Sequence, residues 1–411
     1  MNPTTTPLSH RAWLALLMLV VCLPRVTIDA YLPALPRMAD ALHAGDAQLQ
    51  MTLTWYMAGY ALSMLAAGPL SDRCGRRPVL LGGLALYVLA TLACALADSV
   101  GVLIAARVLQ ALGGCSGTVI GRVIVRERFA TDAQGALLSR ISTGMALSPV
   151  LAPLAGSVVA DACGWRGVFA LLAAAGALAL AAVWRHLPET RPPAVAAAAA
   201  HERRLVRTWL LLLRDRRFLR YSLAIGFVYC TYFPFIAASP ALFQRGLHVS
   251  GRTYAAIFGV TVLGYVIGSN AFRRLGTRWP VDTVLAGAAC LNLCGAACLW
   301  AAHVAAPAGV ATGVAALVLP MFVVMISVGI AIPACQFAVL QPFAGIAGTA
   351  SGLFFFVQMA LTAACGALQS RLEDGSAGPF VMLTVGASAG FALVCACLRP
   401  RAVVAAGQAT R

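Results

Sequence analysis

The stretch Gly68-Pro-Leu-Ser-Asp72-Arg73-Cys-Gly75-Arg76-Arg77-Pro78 interrupts two long apolar runs with four charges in six residues. Outward from it the chain is oil in both directions. Of 411 residues, 61% are hydrophobic and 11% are charged, whereas a soluble domain carries roughly 25% charged residues. Runs of about 20 apolar residues, each long enough to cross a bilayer, fall at 12–36, 48–70, 79–97, 100–125, 136–160 and 166–187. A second set falls at 219–243, 252–275, 281–303, 309–337, 346–369 and 378–398. The pattern predicts an all-α polytopic membrane protein of twelve transmembrane helices in two pseudo-symmetric six-helix bundles. The expected division is a bundle over 1–187, a linker over 188–218, and a second bundle over 219–411 that ends in a short cytoplasmic tail.

The halves read as weak copies. Ser269-Asn-Ala-Phe-Arg273-Arg274-Leu-Gly276-Thr-Arg278 follows the eighth run as the quoted stretch follows the second, with Gly276 on Gly75 and Arg274 on Arg73. Such parallel repeats place a substrate site between the halves, near the midplane.

The formal charge is +16, carried by arginine, for the sequence contains no lysine. In this context the excess reports topology rather than nucleic-acid binding. With the N-terminus inside, 23 of the 30 basic residues lie on the cytoplasmic side; Arg37, Arg166, Arg245, Arg252 and Arg371 lie outside, and Arg25 and Arg107 lie within spans. Both termini are expected in the cytoplasm. Residues 201–218, HERRLVRTWLLLLRDRRF, have the basic amphipathic character of a helix on an anionic membrane surface. The first run holds Arg25 and Asp29 and ends in YLPALP, unlike a cleaved signal peptide.

The thirteen cysteines form no CxxC or Cys/His cluster. Cys290, Cys294 and Cys298 share a helix face, a spacing open to soft-metal binding but more in keeping with close packing of small residues. No metal or cofactor is expected. The spans contain no Ser/His/Asp set, no HExxH and no paired acids, which argues against an enzyme, and no GxxxxGK[ST] loop for a nucleotide.

Gly68-x-x-x-Asp72-Arg73-x-Gly75-Arg76-Arg77 matches the loop signature of the major facilitator superfamily. Ile28-Asp29-Ala30-Tyr31-Leu32-Pro33-Ala34-Leu35-Pro36 adds a likeness to the Bcr/CflA-type drug:proton antiporters. So do Arg107-Val-Leu-Gln110-Ala111-Leu-Gly113, Ala152-Pro153-Leu154-Ala155-Gly156, Gly164-Trp165-Arg166 and Pro188-Glu189-Thr190. The resemblance implies a gate on the cytoplasmic side at Gly68, Asp72, Arg73, Gly75, Arg76 and Arg77. It also implies an antiporter motif in span five around Pro149, Pro153 and Gly156. There Ser148, Ala152 and Ser157 stand for glycines, as Ala111 does in span four; close helix approach is expected to survive these changes.

Charge inside the bilayer costs about 2.5–3.5 kcal/mol even on lenient scales and is functional by default. Asp29 is the sole deeply placed acid and the expected proton carrier; Arg25, four residues earlier, shares its face, and Arg107 is expected to modulate it or to contact substrate. A static Asp29–Arg25 pair that only fixes packing is the competing reading. Two arginines against one aspartate favour neutral or weakly anionic substrates over lipophilic cations. Candidate substrate contacts are Tyr31, Tyr56, Tyr60, Gln110, Met145, Tyr229, Tyr232, Phe233, Phe355 and Gln358. The expected function is export of small amphiphilic drugs of the bicyclomycin or chloramphenicol type across the inner membrane, driven by the proton gradient, by a monomer whose partners are substrate, protons and lipid. Proton-coupled transport of a metabolite, by export or by symport, is the alternative.

Overall fold

The computed structural model describes residues 10–129, 131–190, 201–305 and 313–398. The linker sequence over 191–200 and the tail over 399–411 lie outside the described residues. Every regular element described is helical: α1 His10–Ala30, α2 Leu35–Ala41, α3 Asp46–Cys74, α4 Arg76–Ala95, α5 Val100–Arg128 and α6 Thr131–His186. These are followed by α7 His201–Arg214, α8 Arg216–Ala241, α9 Gly251–Leu275, α10 Val281–Ala305, α11 Val314–Leu340, α12 Ala347–Leu372 and α13 Gly378–Cys397.

Local chemistry sets the boundaries. Pro33 and Pro36 close α1 into a 3-10 turn at Leu32–Ala34 and start α2, since proline offers no N–H to continue a helix but suits its first turn. Ser99 caps α5, Asp215 caps α8 through the N–H groups of Arg217 and Phe218, and Ser250 caps α9.

Ten helices among the described residues are long and apolar enough to cross a membrane. Two departures from a simple count of twelve have physical causes. Spans five and six both lie in α6, as two helices joined by a non-helical turn at Gly164 with φ 73°, a left-handed conformation that glycine adopts without penalty. Helix α3 has the length, at 29 residues, but the buried Gln50, Thr52, Thr54 and Ser63 dilute its apolarity. Those polar groups face protein, where they find partners: Thr52 and Thr54 bond carbonyls of their own helix, and Ser63 donates to the Leu112 carbonyl of α5.

The repeat is visible in the packing. In the first half α3 crosses α5 with Gly59 against the Val108 carbonyl; in the second, α9 crosses α11 with Gly264 against the Phe322 carbonyl. The halves meet along α3 with α12 and α6 with α9. Helix α7 lies against α8 and α12, burying Leu212 and leaving Leu210 and Leu211 exposed.

Ion pairs distinguish the two faces. On the face away from the Asp72–Arg77 loop, called distal here, Arg245 joins Asp46 (2.9 Å), Asp40 and the Pro36 carbonyl (2.8 Å). Arg252 joins Asp161 at 2.9 Å, Arg37 holds the same carboxylate at 2.6 Å, and Gln50 donates to Glu373 at 2.6 Å. All of these except the Arg37–Asp161 pair cross between halves. On the loop face, the ion pairs of Arg76 with Asp72 and Glu127, and of Arg220 with Asp282 (3.1 Å), each stay within one half. The distal face is therefore drawn shut.

Candidate functional site: a charged cleft between the halves

Asp29 lies one residue from the end of α1, fully buried. Its Oδ2 is 3.3 Å from Nε of Arg25. The approach is too oblique for a hydrogen bond, and neither carboxylate oxygen has a hydrogen-bond partner in the protein. Arg25 is less enclosed and sits beside Tyr229 and Tyr232 of α8, whose rings are 5.2 Å apart. This acid thus joins a span of the first half to a span of the second through one guanidinium.

Arg107 occupies a different pocket. Fully buried in α5, it lies 4.2 Å from the centroid of Tyr31 and 4.3 Å from that of Tyr56. Two aromatic faces on one desolvated cation are worth about 2 kcal/mol or more apiece at best. One guanidinium nitrogen donates to Gln110 (2.7 Å), and Gln110 donates to Thr91 (2.8 Å); Nε and the other nitrogen have no partner. Tyr31 and Tyr56 have their own hydrogen bonds, to Thr52 and to the Pro24 carbonyl. Tyr31, Tyr56 and Gln110 are consequently spent on holding Arg107 inside the first half.

A cavity of about 130 Å³ opens between α3 and α5 on one side and α11 and α12 on the other, lined by Met64, Thr118, Arg122, Gln336, Phe354 and Phe355 among others. At ~1.5 Å per residue its lining lies within about 15 Å of the loop-face ends of these helices. Of the substrate contacts expected from sequence, Phe355 is on this wall. Gln358 is one turn further along α12 and fully buried. Tyr60 lies beside Thr118, Met145 Sδ is 3.7 Å from Arg122, and Phe233 packs against Gly366 of α12. The residue that sequence reasoning passed over is Arg122. Grouped with the cytoplasmic arginines, it instead enters the cavity with its guanidinium carbon 5.2 Å from the Phe355 centroid; its position inside the fourth apolar run was the available signal.

The loop signature has its own architecture. Gly75 takes φ 100°, and a Cβ there would stand 2.5 Å from the Glu189 carboxylate. That carboxylate accepts from the backbone N–H of Arg76 (2.9 Å) and Arg77 (3.2 Å), an anion set at the N-terminus of α4. Arg76, 5% exposed, bonds Ser71 (2.8 Å), Glu127 (2.8 Å) and Asp72. Gly68 meets nothing within 4 Å of its added Cβ, while Arg77 reaches the Trp184 carbonyl at 2.8 Å. Arg73 falls in the last turn of α3.

In α6, Pro149 and Pro153 precede the point where Gly156 touches the backbone of Ala30: the carbonyl carbon would be 2.7 Å from an added Cβ. Glycine at one position preserves the approach of α6 to α1 despite the serines and alanine around it.

Over residues 16–367 the sequence matches the family description Major Facilitator Superfamily. The chain belongs to the major facilitator superfamily. Such proteins are transporters, not enzymes, and this one is a multi-pass membrane protein. The chain is 32% identical to the chloramphenicol resistance protein of Pseudomonas aeruginosa, with 86% of this chain and 83% of that one covered. It is 31% identical to the multidrug transporter MdfA of Yersinia pestis over 68% of each, and 28% identical to multidrug resistance protein D of Escherichia coli over 90% and 91%. The crystal structure of a D-xylose–proton symporter superposes with a TM-score of 0.70 at 13% identity, covering 93% of this chain and 97% of that one, a likeness of fold.

Proposed function

We propose that this transporter exports small amphiphilic compounds from the bacterial cytoplasm in exchange for protons, by rocking of its two halves. The observation that carries the reading is Asp29: a fully buried carboxylate without a hydrogen bond, its one charged neighbour beside the opposite half. A carboxylate held there responds to changes in hydration and in its distance from Arg25, because desolvation favours the protonated form and positive charge the ionised form. Alternating those surroundings loads a proton on one side and releases it on the other. The arginine asymmetry supports assignment of the loop face to the cytoplasm, so the structure corresponds to a state closed outside with its cavity toward the cell interior. One proton moving inward supplies about 2.3 kcal/mol per 100 mV, and about 1.4 kcal/mol more per pH unit. The relatives named for chloramphenicol and multidrug resistance support drugs as the cargo.

The test uses Asp29→Asn in everted vesicles and in a pump-deficient host. Native protein is expected to accumulate chloramphenicol when the vesicles are acidified inside. The variant, at equal abundance, is expected to lose accumulation and resistance together. Uphill transport that persists in Asp29→Asn with proton counterflow removes Asp29 from the mechanism, and accumulation in the reverse direction replaces export by uptake.

A further inference from the structure

One helical turn beyond the cavity wall, α12 carries a buried side chain that the coupling mechanism does not use. Gln358 is fully buried, and neither its amide oxygen nor its amide nitrogen has a hydrogen-bond partner in the protein. Gln110 is the contrast: equally buried, it accepts from Arg107 and donates to Thr91. Buried amides left unmet at both ends are rare and carry a standing penalty that a bound partner relieves.

Its position points to what that partner is. Ser351, Phe354 and Phe355 line the cavity. Gln358 follows them at i+7, i+4 and i+3, hence on the same helix face and one turn deeper. Helix α12 crosses α3 with Gly352 against the Met64 carbonyl and Gly366 against Thr54. Gln358, between those two contacts, is therefore level with the middle of α3, near Tyr60. Beyond the cation over an aromatic ring, Arg122 on Phe355, the same face of α12 therefore presents, one turn deeper, an uncharged group that both donates and accepts. A neutral carboxamide complements a group of the same kind: a secondary amide, a carbamate or a pair of hydroxyls. It offers nothing to a quaternary ammonium or phosphonium ion, which Arg122 and Arg25 also repel. At about 130 Å³ the cavity is below the roughly 300–1,000 Å³ of drug-sized sites, so in this state it accommodates the head of such a molecule and not the whole.

We propose that Gln358 is the specificity-determining residue of the cleft, holding the amide or paired hydroxyl group of a neutral amphiphile by two hydrogen bonds while Phe354, Phe355 and Met64 cover its apolar part. The inference rests on the export reading only in taking the cleft to be the substrate path.

The experiment measures equilibrium binding to the purified full-length protein, without a gradient, of chloramphenicol, which carries a secondary amide and two hydroxyls, and of tetraphenylphosphonium. In Gln358→Leu and Gln358→Met the Kd for chloramphenicol is expected to rise about tenfold or more, with that for tetraphenylphosphonium within twofold of native. In the native protein, N-methylation of the chloramphenicol amide is expected to weaken binding about fivefold or more, an arm that needs no variant to fold. The proposal is overturned by any of three results: a chloramphenicol Kd unchanged within twofold in both variants, equal weakening of both ligands, or N-methylated ligand bound as tightly as the parent. Because no transport is measured, failure of Asp29-dependent pumping with Gln358-dependent binding intact refutes the export reading alone.

Discussion

Gly156→Ala tests whether close contact of α6 with α1 supports the acid site. An added Cβ would overlap the Ala30 carbonyl oxygen and stand 2.7 Å from its carbon and 3.1 Å from its Cα. Carbon atoms rest at about 3.5–4.0 Å and the overlapped oxygen is nearer still, so the helices must separate by more than about 1 Å. The obstacle is backbone, which has no rotamer to yield, and Asp29 is the adjacent residue. Overpacking of this kind costs about 1–3 kcal/mol. Arg37, which ties α2 to the Ala160 carbonyl (2.7 Å) and to Asp161, keeps α1 from simply sliding along α6, so the strain falls on the Arg25–Asp29 geometry. Drug export by everted vesicles and thermal stability in detergent are the readouts, with Gly82→Ala as control because nothing lies within 4 Å of its added Cβ. Export is expected to fall at least tenfold in Gly156→Ala and to stay native in Gly82→Ala. Native export and stability in both would refute the argument that this contact positions the acid.

Asp29→Asn is expected to abolish proton-coupled accumulation, and Gln358→Leu to weaken binding of a neutral amide ligand selectively, by the assays given above. Removing the three distal ion pairs that cross between halves with Arg245→Ala and Arg252→Ala should open the distal face; at up to about 1 kcal/mol for each pair, the population shifts by up to about a hundredfold, read as lengthened distances between spin labels at positions 43 and 248. The exchanged pair Asp161→Arg with Arg252→Asp should restore only part of the closure, since Arg37 also holds Asp161. Arg76→Ala leaves Glu127 and Asp72 without their shared cation; Asp72 is 37% accessible and Glu127 keeps Thr190, so the cost falls below the roughly 3–5 kcal/mol of a fully buried pair. A lowered melting temperature and reduced membrane abundance are expected, and native values for both would remove the network from the stability of the first half.

The membrane fold was legible because the bilayer demands a length and an apolarity that any sequence must display. The limits were equally physical. The break between the runs 136–160 and 166–187 marked the turn, but its φ of 73° at Gly164 is one dihedral that composition does not display, and the partner of Gln50 in the polar α3, Glu373, is not written beside it. Asp29, Arg25 and Arg107 stood out because charge in a span has no cheap explanation. The division of labour among the aromatics did not, for Tyr31 and Tyr56 share a residue type with Tyr229 and Tyr232 but enclose Arg107 instead of flanking Arg25. Arg122 was obscured by its neighbours, since a count of arginines assigns it to topology. The distal clasps join residues as far apart as Asp40 and Arg245, and nothing local in either segment announces the other.

The two charge networks differ in a way that suits their positions. Arg76 is buried, serves three side chains and stays within the first half, so its geometry is the same whichever way the halves rock; its contribution is to keep α3, α4 and α5 moving as one body. The distal pairs cross between halves and are exposed: the Arg245 side chain is 35% and that of Asp40 76% accessible, and Arg252 is 68% accessible. Solvent screening holds each to about 0–1 kcal/mol. The three ion pairs together contribute no more than about 3 kcal/mol against outward opening, comparable with the free energy one proton releases across a membrane of 100 mV and one pH unit. A clasp of buried pairs, at about 3–5 kcal/mol for each partner lost, would exceed what a single proton delivers and would trap the carrier closed. Under the proposed coupling, the side that must break and remake its contacts in every cycle is therefore built from weak, hydrated ion pairs, and the strong buried one is placed where no contact has to change.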